Sequence, residues 1–227
     1  MVEGAKLVDE AVAAGIPIEA VYVAEGTTPP ATDAPVRVLE DGVIDRIADT
    51  VTPQPVLAVA PFLDVPHDDL RDCTFLVVCV DVRDPGNAGT VMRSAEAAGA
   101  DGLLFCGGSV DVYNPKTVRA SAGSLFHVPT AVGGHAVEVL DRIGGWQVAR
   151  LGTAARVGTD YTDVDLTRRT AIVLGNEAHG LPADVEARLD GVVTIPMAGR
   201  SESLNVGMAA AVLCFEVARQ RRAQGAA

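Results

Sequence analysis

The chain has 227 residues, nearly half of them apolar, enough for one large domain or two small ones around a sizeable core of Ala, Val, Leu and Ile. No uninterrupted apolar run approaches the roughly 18 residues of a membrane helix, and the opening Met-Val-Glu-Gly-Ala-Lys carries no basic-then-apolar signal, so a cytoplasmic protein without a membrane partner is expected. A net charge of −12 excludes a generic basic nucleic-acid binder, but the acidity is uneven: residues 1–72 hold 4 Lys/Arg against 14 Asp/Glu, residues 73–227 hold 14 against 16.

The first segment predicts a helix over Ala5–Ala14, a short buried strand at Ala20–Ala24, a turn-rich loop over 26–35 and a strand at Val36–Leu39. A short helix over Asp41–Ala48, with Asp41 as N-cap, and a third strand at Val56–Ala60 complete it. Such alternation indicates a small α/β domain over residues 1–60. Residues 61–72 are acidic, contain two prolines and read as a linker.

The second domain, 73–227, opens with Thr74–Val80, apolar on both alternations as a central strand covered on two faces requires. A loop over 81–86, a helix from about Ala88 to Ala98 and a strand at Gly102–Cys106 come next. Asn114 and Pro115 open a helix as N-cap and first-turn proline. Further strands are expected at 128–132, 146–151, 170–174 and 192–196, with helices at 135–143 and from Pro182. Ser203 is the expected cap of a terminal helix reaching Arg222, and 222–227 a frayed tail. The four cysteines form no CxxC pair and sit in apolar runs, so they read as reduced core residues. His127 and His135 lack metal-ligand spacing, and no metal is expected.

This pattern suggests a nucleotide-binding fold, yet no GxGxxG comes after the strand at 74–80 and no GxxxxGK[ST] occurs. That strand leads instead into Asp84-Pro-Gly-Asn87-Ala-Gly89-Thr-Val-Met-Arg93. Asn87 and Arg93 can lie near one end and one side of a helix. The plainer reading is a Pro-Gly turn, an Asn N-cap and a solvated Arg. Two more polar loops, 175–180 and 197–205, each come after a strand-like run and lead into a helical one, where ligands usually bind in α/β proteins.

Asn87-x-Gly89-x-x-x-Arg93, Leu174-Gly-Asn-Glu177-x-x-Gly180, and Ile195-Pro-Met followed by Ser203-Leu-Asn-Val206 together resemble the three ordered motifs of the SpoU (TrmH-type) branch of the SPOUT methyltransferases. The resemblance covers residues 73–222, including the stretch 114–129. The N-terminal segment, opening Val2-Glu-Gly-Ala-Lys-Leu-Val, resembles the small substrate-binding domain that many members carry, without the first strand and basic residues that usually precede it. The family transfers a methyl group from S-adenosyl-L-methionine to a ribose 2′-hydroxyl of tRNA or rRNA.

The resemblance implies an α/β fold with a mainly parallel sheet and a deep trefoil knot, a homodimer, and a cofactor met by the backbone at Gly175, Ile195 and Leu204 with Thr153 as a further lining position. It assigns Arg93 as the central catalytic residue. Arginine hardly ever gives up its proton, so a positioning and electrostatic role is preferred. Asn87 would orient Arg93 or the ribose, Glu177 would be a partner in the same site, and Ser203 and Asn205 would stand at the mouth of the last helix. Lys116, Arg119 and Arg200 are candidates for RNA phosphate contact, as are Arg219, Arg221 and Arg222; His179 faces RNA or solvent. rRNA is favoured over tRNA because the N-terminal domain resembles that of rRNA-modifying members. A non-catalytic RNA-binding protein on the same scaffold is the alternative, and the intact Asn87, Arg93, Glu177 and Asn205 set speaks against it.

Overall fold

A computed structural model of the chain describes residues 1–48 and 52–225. The first part forms β1 (Val2–Glu3), α1 (Ala5–Ala13), β2 (Ala20–Ala24), β3 (Val36–Leu39), α2 (Val43–Ile47) and β4 (Val56–Val59). Its four-stranded sheet has the order β1-β4-β2-β3, with β2 and β3 parallel and the other pairs antiparallel. β1 was not expected: two residues are too short for a periodicity, and only pairing with Leu57 and Ala58 makes them a strand. Asp41 is not the cap of α2. Gly42 holds that position with φ 73, a left-handed conformation that glycine adopts without strain.

Residues 61–72 are mostly exposed but are tied to the second part at several points. The backbone N–H of Leu63 donates to the Tyr113 hydroxyl (2.7 Å), that of Val65 donates to the Thr130 carbonyl (3.0 Å), and Leu70, on a single 3-10 turn, is fully buried.

The second part contains β5 (Phe75–Cys79), α3 (Pro85–Ala97), β6 (Gly102–Phe105), α4 (Pro115–Ser121), β7 (Thr130–Val132), α5 (Ala136–Gly145), β8 (Ala149–Thr153), β9 (Thr159–Asp160), β10 (Thr170–Leu174), α6 (Ala183–Glu186), β11 (Gly191–Thr194) and α7 (Val206–Gly225). Its seven strands run in the order β7-β6-β5-β10-β8-β11-β9, every pair parallel. The apolar strands are covered on both faces, as their composition requires. Phe75, Val77 and Cys79 of β5 face a core shared with α3, α4 and α7, while Leu76 and Val78 face a core shared with α5. Cys79, Cys106 and Cys214 are buried and all four cysteines are free; burial pushes the Cys106 and Cys214 thiols up to about 12.

Several boundaries differ from expectation. α3 begins at Pro85, and its N-cap is Asp84, whose carboxylate accepts the Asn87 N–H at 2.8 Å; Asn87 is therefore inside the first turn. The strand expected at 146–151 is β8, moved on because Gln147 has φ 61 and cannot extend a strand. α7 begins three residues after Ser203, and Asn205 caps it by accepting the Gly207 N–H at 2.9 Å. α7 also runs to Gly225, so residues 222–225 are helical rather than frayed, and 226–227 lie outside the described residues.

Glycines set how closely the helices cross. A Cβ on Gly89 of α3 would stand 2.3 Å from the Ala120 Cβ of α4. A larger residue there would force the two helices apart.

The two parts are joined by side-chain contacts as well as chain. Arg119 of α4 donates to Glu3 of β1 at 2.7 Å, and their side chains are 28% and 3% exposed. His127 meets Glu10 of α1 at 2.8 Å. Leu7 of α1 packs against the core beneath α4.

Candidate active site

All strands of the large sheet are parallel, so the loops at their carboxyl ends gather along one edge. Three of these loops and the entrance of α7 enclose a cavity of about 600 Å³. Thr153, Gly175, Ile195 and Leu204 all line it, together with Asn87, Glu177, Ser203 and Asn205. Residues from positions 87, 153, 175–177, 195 and 203–205 are thus brought to one place by the strand order.

A chain of side-chain amides ties the loops together. Asn205 Nδ2 donates to Asn87 Oδ1 at 2.8 Å, and Asn87 Nδ2 donates to Glu177 Oε1 at 2.9 Å. The backbone N–H groups of Asp84 and Arg83 also donate to the Glu177 carboxylate, at 3.3 and 3.4 Å. Burial by itself would raise the Glu177 pKa. The hydrogen bonds from Asn87 and from the backbone outweigh it and hold the carboxyl below its ordinary value of 4.5. Glu177 is therefore ionised at neutral pH and serves as an acceptor.

Asn176, a position of the second motif to which the sequence assigned no role, shapes the second loop. Its Nδ2 donates to the Asp81 carbonyl at 2.9 Å, and its Oδ1 accepts the Ala178 N–H at 2.9 Å and the His179 N–H at 3.1 Å. Its backbone exchanges two hydrogen bonds with Gly180. An Asn closing its own loop through the amide two residues on is a signal available in sequence. The partner at Asp81, in the left-handed conformation with φ 58, is not.

The need for glycine at 175 has a cause other than ligand approach. A Cβ there would lie 2.5 Å from the Gly180 carbonyl carbon and 2.8 Å from the Leu181 nitrogen. The loop doubles back on itself at this point. His179, Glu186, Val193, Ala209 and Leu213 also line the cavity.

Arg93 does not line this cavity. At about 3.6 residues per turn, the six residues from Asn87 turn it about 120° away and carry it towards the middle of α3. It is exposed and lines a separate shallow depression with Thr90, Ser94 and, from α7, Phe215. Met208 and Phe215, 60% and 48% exposed, lie seven residues apart on α7 and share a face.

The candidate RNA contacts divide. Lys116 and Arg200 are exposed and make no ion pair among the described residues. Arg119 is engaged with Glu3, which corrects its reading as a free phosphate contact. Arg219 pairs with Glu216 at 2.7 Å. Arg221 donates to the carbonyls of Thr74 and Arg168 and lies over the Phe75 ring, so it fastens α7 to the sheet. Among the described residues no cluster of three or more metal-ligating side chains occurs, and no helix is long and apolar enough to cross a membrane.

With this fold and cavity, comparison with known proteins is decisive as to family. The profile of the SpoU rRNA Methylase family matches residues 74–215, and that of the MRM3-like substrate binding domain matches residues 1–58. The chain belongs to the SpoU rRNA methylase family. It is 31% identical over 220 residues, 96% of this chain and 87% of the relative, to the 23S rRNA (guanosine(2553)-2′-O)-methyltransferase RlmP of Bacillus subtilis. It is 40% identical over 179 residues, 74% of this chain and 61% of the relative, to the 23S rRNA (uridine(2479)-2′-O)-methyltransferase of Streptomyces viridochromogenes. Among solved structures, the SpoU methyltransferase AviRb of Streptomyces viridochromogenes superposes with a TM-score of 0.86 at 31% identity, over 98% of this chain and 90% of that one. An AdoMet-bound rRNA methyltransferase of Sinorhizobium meliloti gives a TM-score of 0.80 at 30% identity, over 96% of this chain and 85% of that one.

Proposed function

We propose that this protein transfers a methyl group from S-adenosyl-L-methionine to a ribose 2′-hydroxyl of rRNA. The observation that carries this reading is the Asn205–Asn87–Glu177 hydrogen-bond chain at the wall of the cavity, which joins three loops distant in sequence. The relatives that are named rRNA 2′-O-methyltransferases support it. So does the match of residues 1–58 to a substrate-binding domain. The cavity suits the cofactor: about 600 Å³, with apolar walls from Val193, Ile195, Leu204 and Leu213 and polar groups from Thr153 and Ser203. Thr153, Gly175, Ile195 and Leu204 would hold it, and it supplies an electrophilic methyl group when bound.

The residues of the chain supply alignment and charge. Asn87, fixed on both sides by Asn205 and Glu177, presents a rigid amide to the ribose. Glu177, ionised, keeps that amide in one orientation. Ser203 offers a hydroxyl at the cavity wall. Arg93 stabilises alkoxide character or pairs with the adjacent phosphate. Because Arg93 lies outside the cavity of its own chain, the reading includes a homodimer formed through α3 and α7. The exposed Phe215 beside Arg93, with the exposed Met208 on the same face of α7, supports that interface. It would carry Arg93 from open solvent into a site shared by two copies. The reading also includes a trefoil knot threaded by α7, Lys116 and Arg200 as RNA phosphate contacts, and a cytoplasmic location, where ribosomal RNA is found. Residues 1–60 would form the substrate-binding unit, 61–72 an anchored connector and 73–227 the methyltransferase unit.

The test is incubation of the purified protein with labelled S-adenosyl-L-methionine and 23S rRNA, followed by mapping of 2′-O-methyl positions. Label should enter a ribose at a defined nucleotide. A folded protein that binds S-adenosyl-L-methionine and transfers no label to any rRNA or tRNA would refute the reading.

A further inference from the structure

Phe62 is the most exposed large apolar side chain among the described residues, at 77%. An isolated exposed Phe needs no explanation, but this one is held in place. Its ring lies 4.6 Å, centroid to centroid, from the ring of Tyr113 at an interplanar angle of 50°. Tyr113 is in turn fixed at both ends. Its hydroxyl accepts the Leu63 N–H at 2.7 Å and donates to Asp64 Oδ1 at 2.9 Å, and its own N–H donates to Asp111 Oδ1 at 2.8 Å. The chain just after Phe62 is thereby tied to the second unit while its ring faces solvent. Tyr113 also packs against the main core, so the support is rigid. Burial and the Asp64 carboxylate push its hydroxyl up to about 12, and it remains a donor across the physiological range.

The place is informative. Phe62 comes just after β4, the last strand of the small unit, and Tyr113 precedes α4, the helix on which that unit docks through Glu3 and Arg119. The loop carrying Tyr113 is hydrogen-bonded to the loop that leads into Asn87, through Val110 N–H to the Val82 carbonyl at 2.8 Å. The ring pair thus stands at the junction of the two units, one loop away from the Asn87 network. Lys116, three residues beyond Tyr113, is exposed and makes no ion pair among the described residues. Asp64 and Asp111 beside the rings disfavour a phosphate there. The position offers a rigid aromatic face, which takes a base, with a cation a short distance along for the backbone.

We propose that Phe62 is a stacking platform for an unpaired base of the RNA substrate, held by Tyr113 at the junction of the two units. The proposal rests on the reading of the protein as an RNA methyltransferase. It assigns Phe62 a part in substrate binding and none in the chemistry.

The experiment uses the full chain, in vitro transcribed 23S rRNA and S-adenosyl-L-methionine. The wild type is assayed first, since failure of the wild type to bind or methylate rRNA would overturn the functional reading before any variant is compared. In Phe62→Ala, KM and Kd for rRNA should rise roughly 5- to 150-fold, the range of about 1–3 kcal/mol for one base–aromatic stack. Affinity for S-adenosyl-L-methionine should stay at the wild-type value. Phe62→Tyr should keep most of the RNA affinity. Tyr113→Phe, which removes the hydroxyl but leaves the ring, should show an intermediate loss. In Phe62→Trp, saturating rRNA should quench the new indole fluorescence, distinguishable from that of Trp146, which is 7% exposed. Wild-type RNA affinity in Phe62→Ala, or an unquenched indole in Phe62→Trp, would overturn the proposal. So would a change from dimer to monomer in Phe62→Ala with RNA affinity per dimer retained, because the ring would then be a protein contact.

Discussion

Gly175→Ala separates two reasons for a glycine. If the residue is small so that a ligand can approach, the added methyl should weaken binding and leave the fold alone. The structure gives a different cause: the new Cβ would meet the Gly180 carbonyl carbon at 2.5 Å, its oxygen at 2.6 Å and the Leu181 nitrogen at 2.8 Å. All three are backbone atoms, so no side chain can swing aside. The backbone at 175 is not in the left-handed region, so the substitution adds crowding without dihedral strain. Overpacking costs about 1–3 kcal/mol. Displacing Gly180 also breaks its two hydrogen bonds with Asn176, at 3.0 and 2.9 Å, worth about 1 kcal/mol each and partly replaced by water. The sum is about 2–4 kcal/mol, which for a chain of this length lowers Tm by roughly 5–15 °C. Thermal unfolding by circular dichroism and calorimetric titration with S-adenosyl-L-methionine should show both stability and affinity reduced. An unchanged Tm with affinity lost would refute the crowding argument and restore the ligand-approach reading.

Arg93→Ala should abolish methyl transfer while leaving Tm and S-adenosyl-L-methionine affinity near wild-type values, because the side chain is exposed and makes no ion pair among the described residues; label incorporation and calorimetry check this. Arg119→Ala removes one partner of the nearly buried Glu3 carboxylate, which keeps the Gln54 N–H at 3.1 Å, and should cost about 1.5–3 kcal/mol, the range for a hydrogen bond to a charged group. Hydrogen exchange should then rise first in β1 and α1. Asn205→Ala removes the α7 cap and one partner of Asn87; a loss of about 1 kcal/mol in denaturant unfolding is expected. Glu177 has a folded-state pKa below 4.5, so its stabilising contribution is present above that value and is lost as pH falls through the lower one. Glu177→Gln should therefore show a shallower fall of stability with acid than the wild type.

The sequence alone determined the local chemistry. Strand β10 was legible to the residue because its run Thr170–Leu174 is apolar without alternation, which only a doubly covered strand requires. The Asn114–Pro115 helix start was legible because cap and first-turn proline act within three residues. Gly175, Glu177, Ile195 and Leu204 were legible as one group because three motifs in fixed order resemble one family. Tertiary structure alone decided how these pieces meet. Whether Asn87 caps α3 or joins Glu177, 90 residues away in sequence, depends on Asp84 taking the cap and on β10 lying beside β5. Arg119 looked like a free phosphate contact because nothing local reveals Glu3, 116 residues away. Arg93 and Asn87 share a motif but not a face, since the helical turn between them sends one into the cavity and the other out to solvent. Hydrogen bonds within a turn are written in adjacent residues. Those that close a site between strands depend on the order of the sheet, which no short stretch encodes.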